Sequence, residues 1–393
     1  MNCKILILLI ICSYNLCNGQ TGIDNALKEI TANNLHIKAG SSLYLAKKME
    51  FNTGLAPYDP VISYDHLFGS PKEIGNQKDL SIYFSFDFPT VYSKKGILSD
   101  LRSSQTSYDE VALRRDILLE AKLICIEIIY LNRKDSELKT RLANAQQLQN
   151  YFITKLESGD GNIIDVNKAK FQVITYRSEY ETNQTEINSA TNRLASLNGG
   201  KLITINDTLY PAINDNPDFT VLKSEIEAND PDLKRLELQY HIAKQEVEVN
   251  KALNLPKFEI GYRYQGLLRE NFNGIHAGIT IPLWERNNVV KSKELYSSHS
   301  LSLIEAYKVE RYFETRNLYE EYMRIKKNFE ETTSLMQAVN NYELLSKASS
   351  LGELSSINYF LELTYYYSMK DKMNILERDY HLAYAKLFKQ KLI

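Results

Sequence analysis

Cysteine is scarce in this chain and badly placed for cross-links. Of four cysteines, Cys3, Cys12 and Cys17 fall in the first 17 positions and only Cys125 lies in the body. A disulfide-stapled fold is therefore excluded for the body of the chain. Histidine and methionine number six each. No two histidines, and no histidine and cysteine, stand at metal-ligand spacing, and the methionines do not cluster. No HExxH, GxSxG or phosphate-cradling glycine loop occurs. The sequence thus offers no catalytic, cofactor or metal site, and its carboxylates fall on polar helix faces where solvation accounts for them. The net charge is −2, with no basic stripe, which argues against nucleic acid as a partner. After the first residues no run of 18 apolar residues exists, so no transmembrane helix is expected. A chain of this kind that enters a membrane must do so as strands of a closed barrel.

The beginning is different in character. Lys4 precedes an apolar run, Ile5 to Cys12, and a more polar region reaches Gly19. That is the layout of a secretory signal peptide, expected over 1–19 with cleavage after Gly19. Neither Cys12 nor Cys17 follows a small residue, which argues against lipidation.

Two stretches alternate with period two. In 257–283, Phe258, Ile260, Tyr262 and Tyr264 alternate with Glu259, Gly261, Arg263 and Gln265; after a Gly/Asn-rich turn, Ile275, Ala277, Ile279 and Ile281 alternate with His276, Gly278 and Thr280. Leu80, Ile82, Phe84, Phe86 and Phe88 alternate with Ser81, Tyr83, Ser85 and Asp87, preceded by a weaker strand at 61–68. Successive strand side chains point to opposite faces, so each hairpin has one apolar and one polar face. Pro89 and Pro282 end the ladders, since proline has no N–H to donate. Strands of roughly 8–10 residues suit a tilted bilayer crossing. Phe84, Phe86, Phe88, Phe258, Ile260, Tyr262, Tyr264, Ile279 and Ile281 are the expected lipid-facing residues. Ser85, Asp87, Glu259, Arg263 and Thr280 are expected to face a pore. Trp284, Tyr92 and Tyr58 stand just outside the strands, where an aromatic girdle belongs.

The chain is an internal duplication. Pro89 and Pro282 are 193 residues apart, as are Gly159 and Gly352; Ile30–Asn34 resembles Ile226–Asp230 at an offset of 196. The period is that of a whole module. The expected organisation is a first repeat over 20–198, with its hairpin at about 60–89 and a helical tip at 157–165. A linker follows at 199–217, with a possible short strand at Leu202 to Ile205. The second repeat covers 218–393, with its hairpin at about 257–283 and tip at 350–358. Long proline-free stretches surround each tip. Val173, Tyr176, Tyr180, Asn183, Ile187, Ala190, Leu194 and Leu197 step by three and four. So do Tyr366, Met369, Met373, Leu376, Tyr380, Ala383 and Leu387. These are coiled-coil seams. Gly159 and Gly352 suit the left-handed residue that ends a helix, with Asp160 or Ser355 as the following cap.

Four strands cannot close a barrel, and open edges are not tolerated in lipid. Copies must share one: two would give eight strands, three would give twelve. The fold expected is mainly α with a small β part, long antiparallel coiled-coil helices forming an α-barrel, and four strands per chain in the shared barrel. The alternative is a structural periplasmic coiled-coil scaffold without a channel, its hairpins packed as a soluble cap.

The layout resembles the TolC family of outer-membrane efflux proteins. The resemblance covers nearly the whole chain after the signal: FDFP (86–89), TIPL (280–283), the segments Ala32–Asn34 and Ala228–Pro231, LESGDGNIIDVNKAK (156–170), LASLNG (194–199) and the second tip. It implies a homotrimer with a 12-stranded barrel in the outer membrane of a Gram-negative bacterium. It also implies docking to a periplasmic adaptor (membrane fusion) protein and an inner-membrane pump such as an RND or ABC transporter, in tripartite efflux or type I secretion. The function it implies is a passive, gated exit duct for small molecules. Gating and adaptor contact are then expected at Gly159, Asp160, Asp165, Gly352, Glu353, Asn358 and Leu361. Six and nine positions after the second tip glycine, where the family's best-studied member has mouth-narrowing acids, this chain has Asn358 and Leu361. Asp165 is the matching acid six after the first tip glycine, and Asp160 and Glu353 adjoin the two glycines.

Overall fold

The computed structural model describes residues 22–213, 217–268, 270–284, 286–338 and 353–392, with 344, 345, 347, 348 and 351. The expected signal peptide and Gly352 lie outside the described residues.

In chain order the elements are α1 (Gly22–Asn33), α2 (Leu35–Phe51), β1 (Val61–Leu67), β2 (Gln77–Phe86), α3 (Thr90–Glu157), α4 (Ile163–Leu197), α5 (Phe219–Ala228), α6 (Pro231–Ala252), β3 (Lys257–Leu267), β4 (Glu270–Thr280), α7 (Val289–Ala338) and α8 (Ser356–Leu387). Each half therefore runs two short helices, a β-hairpin and a helical hairpin, as the duplication requires. The start of each half repeats in detail. Asn34 is buried and its side chain accepts the amide of Ile37 at 2.9 Å; Asp230 is buried and accepts the amide of Asp232 at 3.0 Å. Both cap the second helix of their half, which is why a short polar residue stands at each.

Compactness divides the chain across its repeats. One unit comprises the residues up to Lys38, Leu113–Ala228 and those from Phe313 on; the other comprises Ala39–Ala112 and Asn229–Tyr312. Each takes segments from both halves.

The first unit is helical. Its larger core joins Ile23, Ala26 and Ile30 of α1 to Leu118, Ala121, Ile124, Ile128 and Ile129 of α3 and to Ala190 and Leu194 of α4. Cys125 is in this core, and burial pushes its thiol up to about 12, so it is an inert packing group. A second core joins Leu222 and Ile226 of α5 to Tyr322, Ile325, Tyr380, Ala383 and Leu387. Of the expected seams, the α4 seam turns inward along its length; Asn183 is fully buried and donates to the Leu131 carbonyl at 3.1 Å. The α8 seam does so only in part. Tyr380, Ala383 and Leu387 are buried, but Met369 is 39% exposed, and Leu363 and Tyr367 are buried in its stead. A strict seven-residue pattern drifts about 20° per heptad on a straight helix, so the buried stripe moves off the sequence seam.

The first part of the linker is packed into the core. Among the described residues no strand forms at Leu202–Ile205, yet Ile203 and Ile205 are buried in the first core. Asn132 donates to the Ile205 and Asp207 carbonyls, Arg133 to that of Thr208, and the Tyr210 hydroxyl to that of Ile126. Asn132 and Arg133 thus satisfy part of a backbone that has no ladder of its own.

The second unit contains one antiparallel sheet in the order β1-β2-β3-β4. The two hairpins join edge to edge through β2 and β3, with Ser81 opposite Arg263 and Phe86 opposite Phe258. Beside the sheet, α3 and α6 are held by Lys94–Glu248 and Arg102–Glu246 at 2.7 Å each, and Lys293 of α7 reaches Glu246 at 2.7 Å.

Candidate functional site

Two regions concentrate the expected functional residues. The first is the sheet. Register places Ile82 opposite Tyr262, Phe84 opposite Ile260 and Phe86 opposite Phe258, while Phe258 meets Ile279 on the other side. Directly opposed residues share a face, so seven of the expected lipid-facing residues (Phe84, Phe86, Phe258, Ile260, Tyr262, Tyr264, Ile279) form one continuous apolar surface. It is uncovered in the single chain: Ile62 is 67% exposed, Ile260 53% and Ile275 85%. Phe88 and Ile281 lie beyond the ends of β2 and β4. Phe88 still stands 6.2 Å from the Phe258 ring.

The opposite face is polar and internally bonded. Ser85 donates to Glu259 at 3.2 Å, His276 Nε2 lies 2.8 Å from the other Glu259 oxygen, and Arg263 reaches Asp79 at 3.2 Å. The hydroxyls of Ser63 and Ser81 are 2.5 Å apart. Thr280 stands opposite Lys257. Asp87 departs from expectation. It lies one residue past β2 and is buried, with Lys95 at 3.4 Å and Lys257 at 3.9 Å, while its amide donates to the Tyr92 hydroxyl at 2.8 Å. Its parity matches the polar face, but it ties the strand end to the following helix and does not line an open surface. Tyr92 is correspondingly turned inward, whereas Tyr58 and Trp284 are exposed. Alternation alone does not reveal why position 261 is glycine. A Cβ there would come within 2.4 Å of the Ile82 carbonyl oxygen and 2.6 Å of the Tyr83 ring. Tyr83 lies across this glycine and meets His276 edge-on, with ring centroids 4.9 Å apart.

The second region is the pair of helical tips. After α3, Gly159 has φ +85, the left-handed conformation expected of it. The amide of Asp160 then reaches back to the Lys155 carbonyl at 3.1 Å. In the second tip the amide of Glu353 donates to the Ala348 carbonyl at 3.0 Å. These two bonds are 193 residues apart, the offset that also separates Pro89 from Pro282. Asp160 is not the cap of α4. That place belongs to Asn162, whose side chain accepts the Ile164 amide at 2.9 Å; Ser355 caps α8, as expected, from Asn358 at 3.3 Å. Asp160 stands one bond too early, since its amide still serves the end of α3. Gly161 is also sterically required: a Cβ there would lie 2.4 Å from the Leu156 nitrogen.

Asp160, Glu353, Asn358 and Leu361 are exposed, while Asp165 is half-buried in the first turn of α4, where the helix dipole favours an acid. Beneath the first tip, Phe152, Val166 and Ala169 pack with Leu148, Leu156 and Phe360, the Phe152 and Phe360 rings 5.8 Å apart. Farther from the tip than this cluster, the helices are joined by charge. Arg141 of α3 is buried, bonds Asp371 of α8 through both terminal nitrogens (2.9 and 2.5 Å), bonds Glu137 at 3.2 Å and stacks over Tyr367. Arg133 pairs with Glu377, and Asn374 donates to Glu137 at 3.0 Å.

Among the described residues no helix is long and apolar enough to cross a membrane, and no group of three or more His, Cys, Asp or Glu is placed to hold a metal ion.

No protein-family model matches the chain, and no curated protein sequence does. Solved structures do. CusC, described for its folding and transmembrane channel formation, is similar at TM-score 0.76 and 14% identity, over 96% of this chain and 94% of that one. The outer membrane channel CmeC of Campylobacter jejuni is similar at TM-score 0.76 and 14% identity, over 94% and 85%. The outer membrane protein VceC of Vibrio cholerae is similar at TM-score 0.71 and 14% identity, over 94% of each chain. Sheet, helical hairpins and duplication together give this chain the TolC-like fold of outer-membrane channel proteins.

Proposed function

We propose that this chain is one protomer of a trimeric outer-membrane duct through which small molecules leave the cell in an efflux system. The observation that carries this reading is the sheet of the second unit. Its apolar face is uncovered and its edge strands β1 and β4 have free sides. In water such a sheet is an aggregation hazard. In lipid the same face is solvated by acyl chains, and three copies joined β1 to β4 make a closed twelve-stranded barrel. The apolar face meets the outer-membrane lipid of a Gram-negative bacterium, and the polar face lines the pore.

The helical tips are the periplasmic end. There Gly159, Asp160, Asp165, Gly352, Glu353, Asn358 and Leu361 meet the adaptor, which links the duct to an inner-membrane pump. Passage is passive: adaptor contact parts the tips, and cargo moves by gated diffusion. The similarity in fold to CusC and CmeC supports a channel, and the pump and adaptor follow from the resemblance to the TolC family.

The test is the mass and shape of the detergent-extracted protein, by light scattering and negative-stain imaging. A threefold particle is expected. A monomer that stays soluble without detergent would remove the shared barrel and leave the scaffold reading.

A further inference from the structure

Charge is sorted between the two faces of the sheet. By register, the apolar face carries the single charged residue Lys78. The polar face carries Asp65, Asp79, Glu259 and Glu270 against Arg263; Lys257, at the strand start, is taken up by Asp87. With histidine counted neutral, acids exceed bases on this face in every copy.

Folding does not call for this excess. Asp65 and Asp79 stand directly opposite each other in β1 and β2, and like charges at opposed positions destabilise a strand pair. Two of the acids are nevertheless held in fixed places. Asp79 is covered by Arg263 at 3.2 Å and by Gln77, which donates to both its oxygens. Glu259 is held by Ser85 and His276. The first tip is different: across 155–170, Glu157, Asp160 and Asp165 are matched by Lys155, Lys168 and Lys170.

We infer that the strand wall, rather than the first helical tip, sets the sign of the ions this duct admits, and that Asp65, Asp79 and Glu259 make it prefer cations. The inference rests on the channel reading above, with the polar face inward. A closed wall of one sign in a low-dielectric surround concentrates counter-ions and excludes co-ions, and rings of side-chain charge are a common basis of selectivity. In a trimer each residue recurs three times around the lumen. Positively charged or zwitterionic small molecules would pass more readily than anions of the same size.

The experiment is the reversal potential of the full-length protein in planar lipid bilayers under a KCl gradient. The wild type is expected to favour K+ over Cl−. The variant Asp65→Asn/Asp79→Asn/Glu259→Gln should lower the permeability ratio by about twofold or more, and Arg263→Gln should raise it. The opposed shifts separate wall charge from a general loosening of the barrel. Conductance without cation preference, or a preference moved only by Asp160→Asn/Asp165→Asn/Glu353→Gln at the tips, would overturn the inference and leave the channel intact. Absence of any conductance together with absence of a threefold particle in detergent would overturn the channel reading and this inference with it.

Discussion

The side chains of Asn162 and Ser355, 193 residues apart, do the same work: Asn162 accepts the Ile164 amide at 2.9 Å and Ser355 the Asn358 amide at 3.3 Å. Each opens the returning helix of its hairpin, so the two tips are the same device made twice with different residues. Asn162→Ala or Ser355→Ala should each cost about 1 kcal/mol of local helix stability. Faster hydrogen exchange in the first turn of α4 or α8, with the other tip unchanged, is the expected signature.

The two glycines of the first tip should respond differently to alanine. Gly159 has open space where a Cβ would go, so Gly159→Ala carries only the left-handed backbone penalty, roughly 1–2 kcal/mol. Gly161→Ala sets a methyl against the main chain of Leu156, which cannot turn aside. Gly161→Ala should lower the melting temperature more, and equal losses would show that the turn relaxes around the methyl.

Arg141 and Asp371 join α3 to α8 in an asymmetric pair, with the arginine side chain 6% exposed and the aspartate 47%. Removing the carboxylate strands part of a buried cation; replacing the arginine by an apolar chain removes the need for a partner. Asp371→Ala should therefore destabilise more than Arg141→Met. Denaturant unfolding of the two variants in detergent provides the comparison.

His381 gives a pH dependence whose sign is fixed. Its ring is buried, stacked on Tyr210 at 4.2 Å. Burial, with Arg133 and Lys122 nearby, lowers its pKa from 6.5 to about 4. Between those values the unfolded chain binds a proton that the folded chain refuses, so stability falls as pH drops through this window, by up to ~3 kcal/mol. His381→Phe should flatten that part of the stability profile. A profile as steep as the wild type would place the dependence on other groups.

The fold was legible where chemistry repeats with a short period. Alternation from Phe258 to Tyr264 needs only two residues per cycle, and the structure keeps it. Strand ends were harder to place: Asp87 continues the alternation but belongs to the turn, because Tyr92, five residues on, takes its amide. Caps suffer the same ambiguity, since Asp160 and Asn162 are both good cap residues and only the path of the chain decides between them. Gly261 is hidden for another reason. What forbids a side chain at Gly261 is the β2 backbone, which belongs to the other half of the chain. Met369 fits the heptad in sequence, but the drift of a straight helix carries it outward.

The pairing of β2 with β3 bears on the order of assembly. Ser85 and Glu259 touch across 174 positions of chain. A chain emerging amino end first forms the β1–β2 hairpin early, but β2 has no neighbour on its second side until β3 is delivered. During that interval a long apolar strand keeps a bare edge in water, the state most prone to pair with the wrong chain. A truncation that removes β3 should therefore aggregate rather than yield a stable half-molecule.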